Sequence, residues 1–122
     1  MKTVLLIEDN TDIRENTCEL LELEGYKVVA ADSGETGLFL ARENMPDIIL
    51  CDIMMSGMNG YEVFAELKND AATSVIPLVF ISASVERKAI DSGLAMGAKA
   101  YIQKPFDPRE LFDVLINCLK EA

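Results

Sequence analysis

The sequence predicts an α/β fold in which a five-stranded parallel sheet is doubly wound, with helices packed on both of its faces. Five short apolar runs recur along the 122 residues, and segments with apolar residues at helical spacing separate them. Strands that alternate with helices in this way favour a parallel sheet. Polar side chains also follow four of the five apolar runs directly, which is typical of a sheet with a binding site at one edge.

The predicted strands are short and rich in valine, isoleucine and leucine. They span residues 3–7, 27–31, 48–51, 78–81 and 100–102. The third run is apolar throughout, a pattern typical of a strand that is buried on both faces. We therefore predict that this strand lies at the centre of the sheet.

The first two helices have recognisable ends. The first begins at Asn10 or Thr11 and stops at Gly25, because glycine readily adopts the left-handed conformation that ends a helix. Ser33 is the predicted cap of a second helix at about 35–44. Pro46 closes that helix, since the residue before a proline disfavours helical geometry.

The third helix is predicted to follow a turn at Asn59-Gly60. The fourth opens at Ser84 and ends at Gly97. Gly93 lies inside the fourth helix and lowers its helix propensity by about 1 kcal/mol relative to alanine.

The fifth helix has a well-formed start, with Asp107 as its cap and Pro108 at the first helical position. Its predicted buried stripe consists of Leu111, Val114, Leu115, Cys118 and Leu119. A chain of 122 residues is long enough for one hydrophobic core but not for two. Residues 1–122 are therefore predicted to form a single domain.

The charge and hydropathy of the chain exclude several classes of function. A net charge of −10 and a pI near 4.3 repel phosphate backbones, so we expect no direct nucleic-acid binding. No apolar run approaches the roughly 18 residues that cross a bilayer, and the amino terminus does not resemble a signal peptide. We therefore expect a cytoplasmic protein without a membrane contact.

The cysteine and histidine content limits the chemistry further. Cys18, Cys51 and Cys118 lack paired-ligand spacing and are predicted to be reduced thiols. Histidine is absent. This excludes catalytic triads, imidazole metal sites and a phosphohistidine made within this chain.

Polar residues at the ends of the predicted strands form the candidate site. Glu8 and Asp9 follow the first strand, Asp52 the third, Ser82 the fourth and Lys104 the fifth. Alone, Asp52 would more often cap the next turn, but carboxyl ends of parallel strands meet at one edge of a sheet. Clustered carboxylates without histidine favour a hard cation such as Mg²⁺. A carboxylate can also act as a covalent nucleophile.

These residues lie in motifs that resemble those of response-regulator receiver domains of two-component signalling, over essentially the whole chain. The motifs are Ile7-Glu8-Asp9-Asn10, Leu50-Cys51-Asp52-Ile53-Met54-Met55, Met58-Asn59-Gly60, Ile81-Ser82-Ala83 and Lys104-Pro105-Phe106. The resemblance implies a flavodoxin-like receiver fold with strand order 2-1-3-4-5.

The resemblance also implies a metal site. Asp9 and Asp52 would ligate Mg²⁺ directly, with the backbone carbonyl of Met54 as the third protein ligand. Glu8 would act mainly through a bound water. The family often has aspartate at the position of Glu8, and the longer side chain reaches further.

For the phosphoryl group, the resemblance implies that Asp52 is the phosphoacceptor. Lys104 would bind one phosphoryl oxygen, and Ser82 with the backbone N–H of Ala83 another. In the family the peptide bond before Pro105 is usually cis.

The resemblance further implies a switch and a set of partners. Ser82 would move towards the phosphoryl group, and Tyr101, at the strand-five position where receivers commonly have a switch aromatic, would rotate inward. The face made by helix four, strand five and helix five would then bind a downstream effector protein or domain, or form a homodimer. The phosphoryl donor would be a histidine kinase or a histidine phosphotransfer protein.

The chain departs from the family at Ser56, where a proline is common, so we expect a less rigid loop after Asp52. Met54 and Ser84 occupy positions at which family side chains tune hydrolysis of the aspartyl phosphate. Neither is suited to orient a water, so we expect a long-lived phosphorylated form.

Two other classes of protein fit these residues less well. A flavodoxin needs a small-residue phosphate loop, and Glu8 and Asp9 would repel its flavin. A haloacid-dehalogenase-type phosphatase needs a second aspartate where this chain has Met54. The sequence thus predicts a signalling switch domain and not a turnover enzyme. A degenerate receiver that acts as a phosphorylation-independent docking module stays open as the alternative.

Overall fold

The structure, a computed structural model, describes residues 1–83 and 87–120, and of residues 87–89 only the backbone. Strands and helices alternate along these residues. They are β1 (Thr3–Ile7), α1 (Thr11–Leu23), β2 (Lys27–Ala31), α2 (Gly34–Asn44), β3 (Ile48–Asp52), α3 (Gly60–Lys68), β4 (Leu78–Ser82), α4 (Arg87–Ala95), β5 (Ala100–Gln103) and α5 (Pro108–Lys120). The predicted start of the fourth helix at Ser84 lies outside the described residues.

The strands form one parallel sheet in the order β2-β1-β3-β4-β5, with β3 at its centre. The predicted fold class and strand order are therefore confirmed. Three strands extend one residue beyond their predicted ends, so that Asp52, Ser82 and Gln103 belong to the sheet. Asp52 pairs in register with Ile81 of β4.

The helices cover the two faces of the sheet. On one face, buried residues of α2 and α3, such as Leu38 and Phe64, pack on β-strand side chains together with Phe80. On the other face, Leu21 of α1 and Leu111 of α5 pack on the opposite side chains of the same strands. Burial on both faces explains why β3 and β4 read as continuous apolar runs.

The helix ends follow the local sequence signals. The side chains of Asn10 and Ser33 cap α1 and α2, each accepting a hydrogen bond from a backbone N–H three residues on. Asn59 and Glu62 form a reciprocal capping box at the start of α3. Gly25 adopts a φ of +91°, as expected of a helix stop.

The predicted glycine stops of α1 and α4 each lie two positions after the last helical residue. Helix α4 ends at Ala95, as α1 ends at Leu23, and a turn follows in which the Gly97 N–H donates to the Leu94 carbonyl at 3.0 Å. Gly97 adopts a φ of +109°, which confirms it as a left-handed stop like Gly25.

Cys18, Cys51 and Cys118 are reduced and form no disulfide with one another, as the sequence predicts. Cys51 and Cys118 are buried, and burial raises the pKa of the Cys51 thiol. Within residues 1–83 and 87–120, no helix combines the length and the apolar character that crossing a membrane requires.

Candidate functional site

The acidic crevice lies at the carboxyl edge of the sheet and is lined by Glu8, Asp9, Asn10, Ile13, Asp52, Met54, Ala83 and Lys104. The strand order places β1 directly beside β3, which brings the residues after β1 next to Asp52. One oxygen from each of the three carboxylates lies within 4.8 Å of the others. The structure thus brings together the acids that the sequence singles out.

Lys104 provides the positive charge in the crevice. Its ammonium donates to Glu8 Oε1 at 2.5 Å and to Asp52 Oδ2 at 3.0 Å. Burial raises the pKa of Glu8, although the hydrogen bond from Lys104 opposes the shift. Burial alone would lower the pKa of Lys104, but its bonds to Glu8 and Asp52 outweigh this and the pKa is raised. Lys104 therefore stabilises the charges of both carboxylates and is stabilised by them, while Glu8 and Asp52 repel each other.

Backbone N–H groups complete the support of the carboxylates. The N–H of Asn10 donates to Glu8 Oε2 at 3.2 Å, and that of Met54 lies 3.4 Å from Asp52 Oδ1. Asp9 Oδ2 accepts from the backbone N–H of Ser56 at 3.0 Å. Each acid of the crevice thus accepts at least one hydrogen bond from the main chain of a neighbouring loop.

The donor set fits a hard divalent cation. Three carboxylates oppose one ammonium, so negative charge remains in excess after Lys104 is counted. The available ligand atoms are carboxylate and backbone oxygens, which Mg²⁺ prefers.

Met54 lies at the mouth of the crevice, and its side chain is 72% exposed. Met55 and Met58 are half-buried and pack against the core beside α2 and α3. Met55 and Met58 therefore fill space at the edge of the core, whereas Met54 lies on the loop surface. Met54 directly follows Ile53, which turns inward, so Met54 points away from the core.

Ser82 and Tyr101 lie on one face of the sheet. Ser82 pairs in register with Gln103, and Phe80 with Tyr101. Because side chains alternate along a strand, Ser82 and Phe80 share a face, and their partners share it with them. Ser82 is buried, whereas the half-buried Tyr101 packs against the core under α3 and α4. The two predicted switch residues are therefore on the same face of adjacent strands, two residues apart in register.

The aromatic cluster, defined as Tyr61, Phe64, Phe80 and Tyr101, packs beneath Gly93 of α4. The ring of Phe80 makes edge contacts with Tyr61 and Phe64, at centroid distances of 5.4 and 5.6 Å. A Cβ atom on Gly93 would lie 3.0 Å from the Phe80 ring and 3.7 Å from the Tyr101 ring. Gly93 thus permits α4 to approach the sheet closely.

An apolar groove opens beside the acidic crevice, between α1 and the loop after β5. It has a volume of about 460 Å³, and Leu20 and Phe106 contribute apolar surface to it. The groove and the crevice share Ile13, Ala83 and Lys104 along their common border. The peptide bond between Lys104 and Pro105 is cis.

Sequence reasoning missed two supporting groups. Arg14 donates from its guanidinium to the backbone carbonyl of Glu8 at 2.9 Å, which fastens α1 to the end of β1. Its position one turn after the cap Asn10 was a usable signal. The bond from the Ser56 N–H to Asp9 joins residues 47 apart, and no local pattern reveals it.

The sequence is similar to a known protein family and to several characterised proteins. The family model of the response regulator receiver domain matches residues 4–116. Protein PilH of Pseudomonas aeruginosa is 32% identical over 115 residues, covering 94% of this chain and 95% of PilH. The phosphate regulon transcriptional regulatory protein PhoB of Pseudomonas aeruginosa is 38% identical over 110 residues, covering 90% of this chain and 48% of PhoB. The chain therefore spans about half the length of PhoB.

Solved structures have the same fold. Chemotaxis protein CheY4 of Vibrio cholerae superposes with a TM-score of 0.91 at 27% identity, covering 97% of this chain and 98% of that one. A putative response regulator from Chloroflexus aurantiacus gives a TM-score of 0.92 at 31% identity, covering 98% of each chain.

Proposed function

The chain belongs to the response regulator receiver domain family of two-component signalling, and on that premise we propose that Asp52 accepts a phosphoryl group from a phosphohistidine of a partner protein. Receiver domains are signalling switch domains. The chain has no histidine, so the phosphohistidine lies outside these residues, on a histidine kinase or a histidine phosphotransfer protein. The observation that supports this most directly is the buried Asp52 carboxylate between Lys104 and two further acids.

In the transfer, an oxygen of Asp52 forms a bond to phosphorus while the phosphorus–nitrogen bond of the donor breaks. The electron pair of that bond stays on the imidazole nitrogen, which takes up a proton. Phosphoryl transfer needs positioning and neutralisation of charge more than acid-base chemistry. Lys104, 3.0 Å from Asp52, provides positive charge at the reacting carboxylate.

Asp9, Asp52 and the backbone carbonyl of Met54 would hold Mg²⁺, with Glu8 acting through a water. When bound, Mg²⁺ neutralises the crowded carboxylates and one phosphoryl oxygen. The excess negative charge among Glu8, Asp9 and Asp52 supports this assignment. In the same proposal, Ser82 and the backbone N–H of Ala83 bind another phosphoryl oxygen.

The apolar groove beside the crevice is the proposed docking place for the donor. It borders the crevice along Ile13 and Lys104, so a helix lying in the groove can present a phosphohistidine to Asp52. Leu20 and Phe106 offer the apolar contacts that such a helix needs.

The proposed output is a change of the surface formed by α4, β5 and α5. The hydroxyl of Ser82 moves to the phosphoryl group, and the ring of Tyr101 turns into the space that it leaves. Leu94 of α4 is 42% exposed and offers apolar area for a partner. An effector protein or domain, or a second copy of this chain, would bind this surface more tightly after phosphorylation.

The test is incubation with Mg²⁺ and a small acyl phosphate, followed by intact mass measurement. The wild type should gain the mass of one phosphoryl group, and Asp52→Asn should gain none. Full labelling of Asp52→Asn at another residue would contradict the assignment. If the wild type gains no mass either, the phosphorylation-independent docking module becomes the better explanation.

A second test addresses the cation. Mg²⁺ should raise the melting temperature of the wild type, because it relieves repulsion among the carboxylates. The rise should be much smaller for Asp9→Ala. Equal rises in both proteins would count against the proposed metal site.

A further inference from the structure

Asp9 is held differently from the other two acids of the crevice, which bind Lys104 as well as a backbone N–H. Glu8 and Asp52 are buried and both bind the Lys104 ammonium. Asp9 is half-buried, and its Oδ2 atom accepts the backbone N–H of Ser56 at 3.0 Å. The backbone N–H of Ser56 therefore binds the Asp9 carboxylate, while the Lys104 ammonium binds the carboxylates of the other two acids.

The charges around Asp9 show why this contact matters for the orientation of its carboxylate. The carboxylate of Asp9 lies within 4.8 Å of two other carboxylates, which repel it. A half-buried aspartate can relieve that repulsion by rotating towards water. The bond from the Ser56 N–H opposes this rotation, because a charged acceptor makes a stronger hydrogen bond than a neutral one.

The same bond leaves Asp9 able to bind a cation. A carboxylate has about four lone-pair positions, so one N–H leaves the others available. Ser56 also lies two residues after Met54, whose carbonyl is a proposed ligand. One hydrogen bond thus joins the loop that contains one ligand to the side chain that supplies another.

We propose that the backbone N–H of Ser56 is a positioning group that keeps Asp9 oriented for Mg²⁺ before the cation binds. This inference rests on the proposed function, because it concerns the same metal site. Its role depends on the main chain and not on the hydroxyl group, since the Ser56 side chain is exposed. A proline at this position would remove the N–H, and an alanine would retain it.

The experiment measures the affinity for Mg²⁺ of wild type, Ser56→Ala and Ser56→Pro by nuclear magnetic resonance titration. Ser56→Ala should bind Mg²⁺ as the wild type does. Ser56→Pro should bind about fivefold more weakly, the effect expected from loss of one orienting hydrogen bond. Equal affinities of the alanine and proline variants would overturn the inference.

A double-mutant comparison separates positioning from a general structural effect. Asp9→Ala and Asp9→Ala with Ser56→Pro should bind Mg²⁺ equally weakly, because the N–H acts only through the Asp9 carboxylate. A further loss in the double variant would show that Ser56→Pro damages the loop by another route, and would overturn the inference.

A measurement without proline keeps the inference testable if Ser56→Pro does not fold. The amide proton of Ser56 should resonate downfield and exchange slowly in wild type, and both properties should be lost in Asp9→Ala. An amide signal that is unaffected by Asp9→Ala would overturn the inference while leaving the metal site intact. A wild type that binds no Mg²⁺ would overturn the proposed function and this inference together.

Discussion

The acidic crevice lies at the carboxyl edge of the sheet and the aromatic cluster lies between the sheet and α3, and the two regions are stabilised by different interactions. In the crevice, Lys104 and backbone N–H groups bind the carboxylates, and charges determine the arrangement. In the cluster, edge contacts of Phe80 and the absence of a side chain at Gly93 determine the packing. The crevice should therefore respond to changes of charge, and the cluster to changes of volume.

The largest effect is expected from Lys104→Met. It leaves Glu8 and Asp52 buried without their cation, and breaking a buried ion pair in this way costs about 3 kcal/mol or more. Asp52→Asn should cost much less, because it leaves Lys104 paired with Glu8 and removes one repelling carboxylate. Urea unfolding in the presence of a chelator measures both.

The pH dependence of Lys104→Met provides a control. Burial already raises the pKa of Glu8, and losing the ammonium removes an interaction that opposes the shift. A raised folded-state pKa of an acid means that stability is present at low pH and lost as pH rises through that pKa. The variant should thus approach wild-type stability as pH falls towards 4.5, the ordinary pKa of the group. A pH-independent difference would contradict a charge-based explanation.

The second effect concerns the connection between the two regions. Ser82→Ala and Tyr101→Ala should each still be phosphorylated but should lose most of the phosphorylation-dependent gain in partner affinity or self-association. A gain of about tenfold corresponds to 1.4 kcal/mol of differential binding, within the range of ordinary coupling energies. Affinities with and without an acyl phosphate measure the gain.

Tyr101→Phe is the matched control, because it retains the ring and removes only the hydroxyl group. If both Ser82→Ala and Tyr101→Ala keep the full gain, the route from Ser82 to Tyr101 is wrong even if Asp52 is phosphorylated.

The third effect tests whether the aromatic cluster responds to a change of side-chain volume. Gly93→Ala adds a methyl group 3.0 Å from the Phe80 ring, which is fully buried between Tyr61 and Phe64. Overpacking of about 2 kcal/mol should exceed the gain of about 1 kcal/mol in helix propensity. We expect net destabilisation of about 1 kcal/mol in urea, with phosphorylation of Asp52 unchanged. A stabilised variant would show that the Phe80 ring can move aside to make room for the added methyl group.

The sequence predicted the regular elements because their signals are local. Each strand is a short apolar run, and the caps Asn10, Ser33 and Asn59 precede their helices directly. The clustering of Asp9 and Asp52 also followed, since parallel strands place their carboxyl ends at one edge.

What the sequence could not predict depends on contacts between distant segments. Gly93 could be recognised as a weak helix former, but its close approach to Phe80 exists only after β4 and α4 pack. The exposure of Met54 depends on how the loop turns after Ile53. The bond from Ser56 to Asp9 requires two loops to meet, and it involves a backbone atom that every residue except proline has.

The smallest effect is expected at the mouth of the crevice, where a side chain has room to change without disturbing either region. Met54 is 72% exposed, and its thioether is a weak hydrogen-bond acceptor that orients water poorly. Met54→Asn places an amide there, which can orient a water towards the phosphoryl group on Asp52. Hydrolysis of the aspartyl phosphate should accelerate about threefold, which corresponds to less than 1 kcal/mol of barrier. Mass measurement after removal of the donor follows the loss of phosphate over time and gives the rate.

Met54→Leu is the control and should hydrolyse at the wild-type rate, because it keeps an apolar side chain of similar size. Since neither substitution adds charge or fills the core, both should leave the free energy of unfolding nearly unchanged. An unchanged or slower rate in Met54→Asn would show that access of water to Asp52 is governed elsewhere in the crevice.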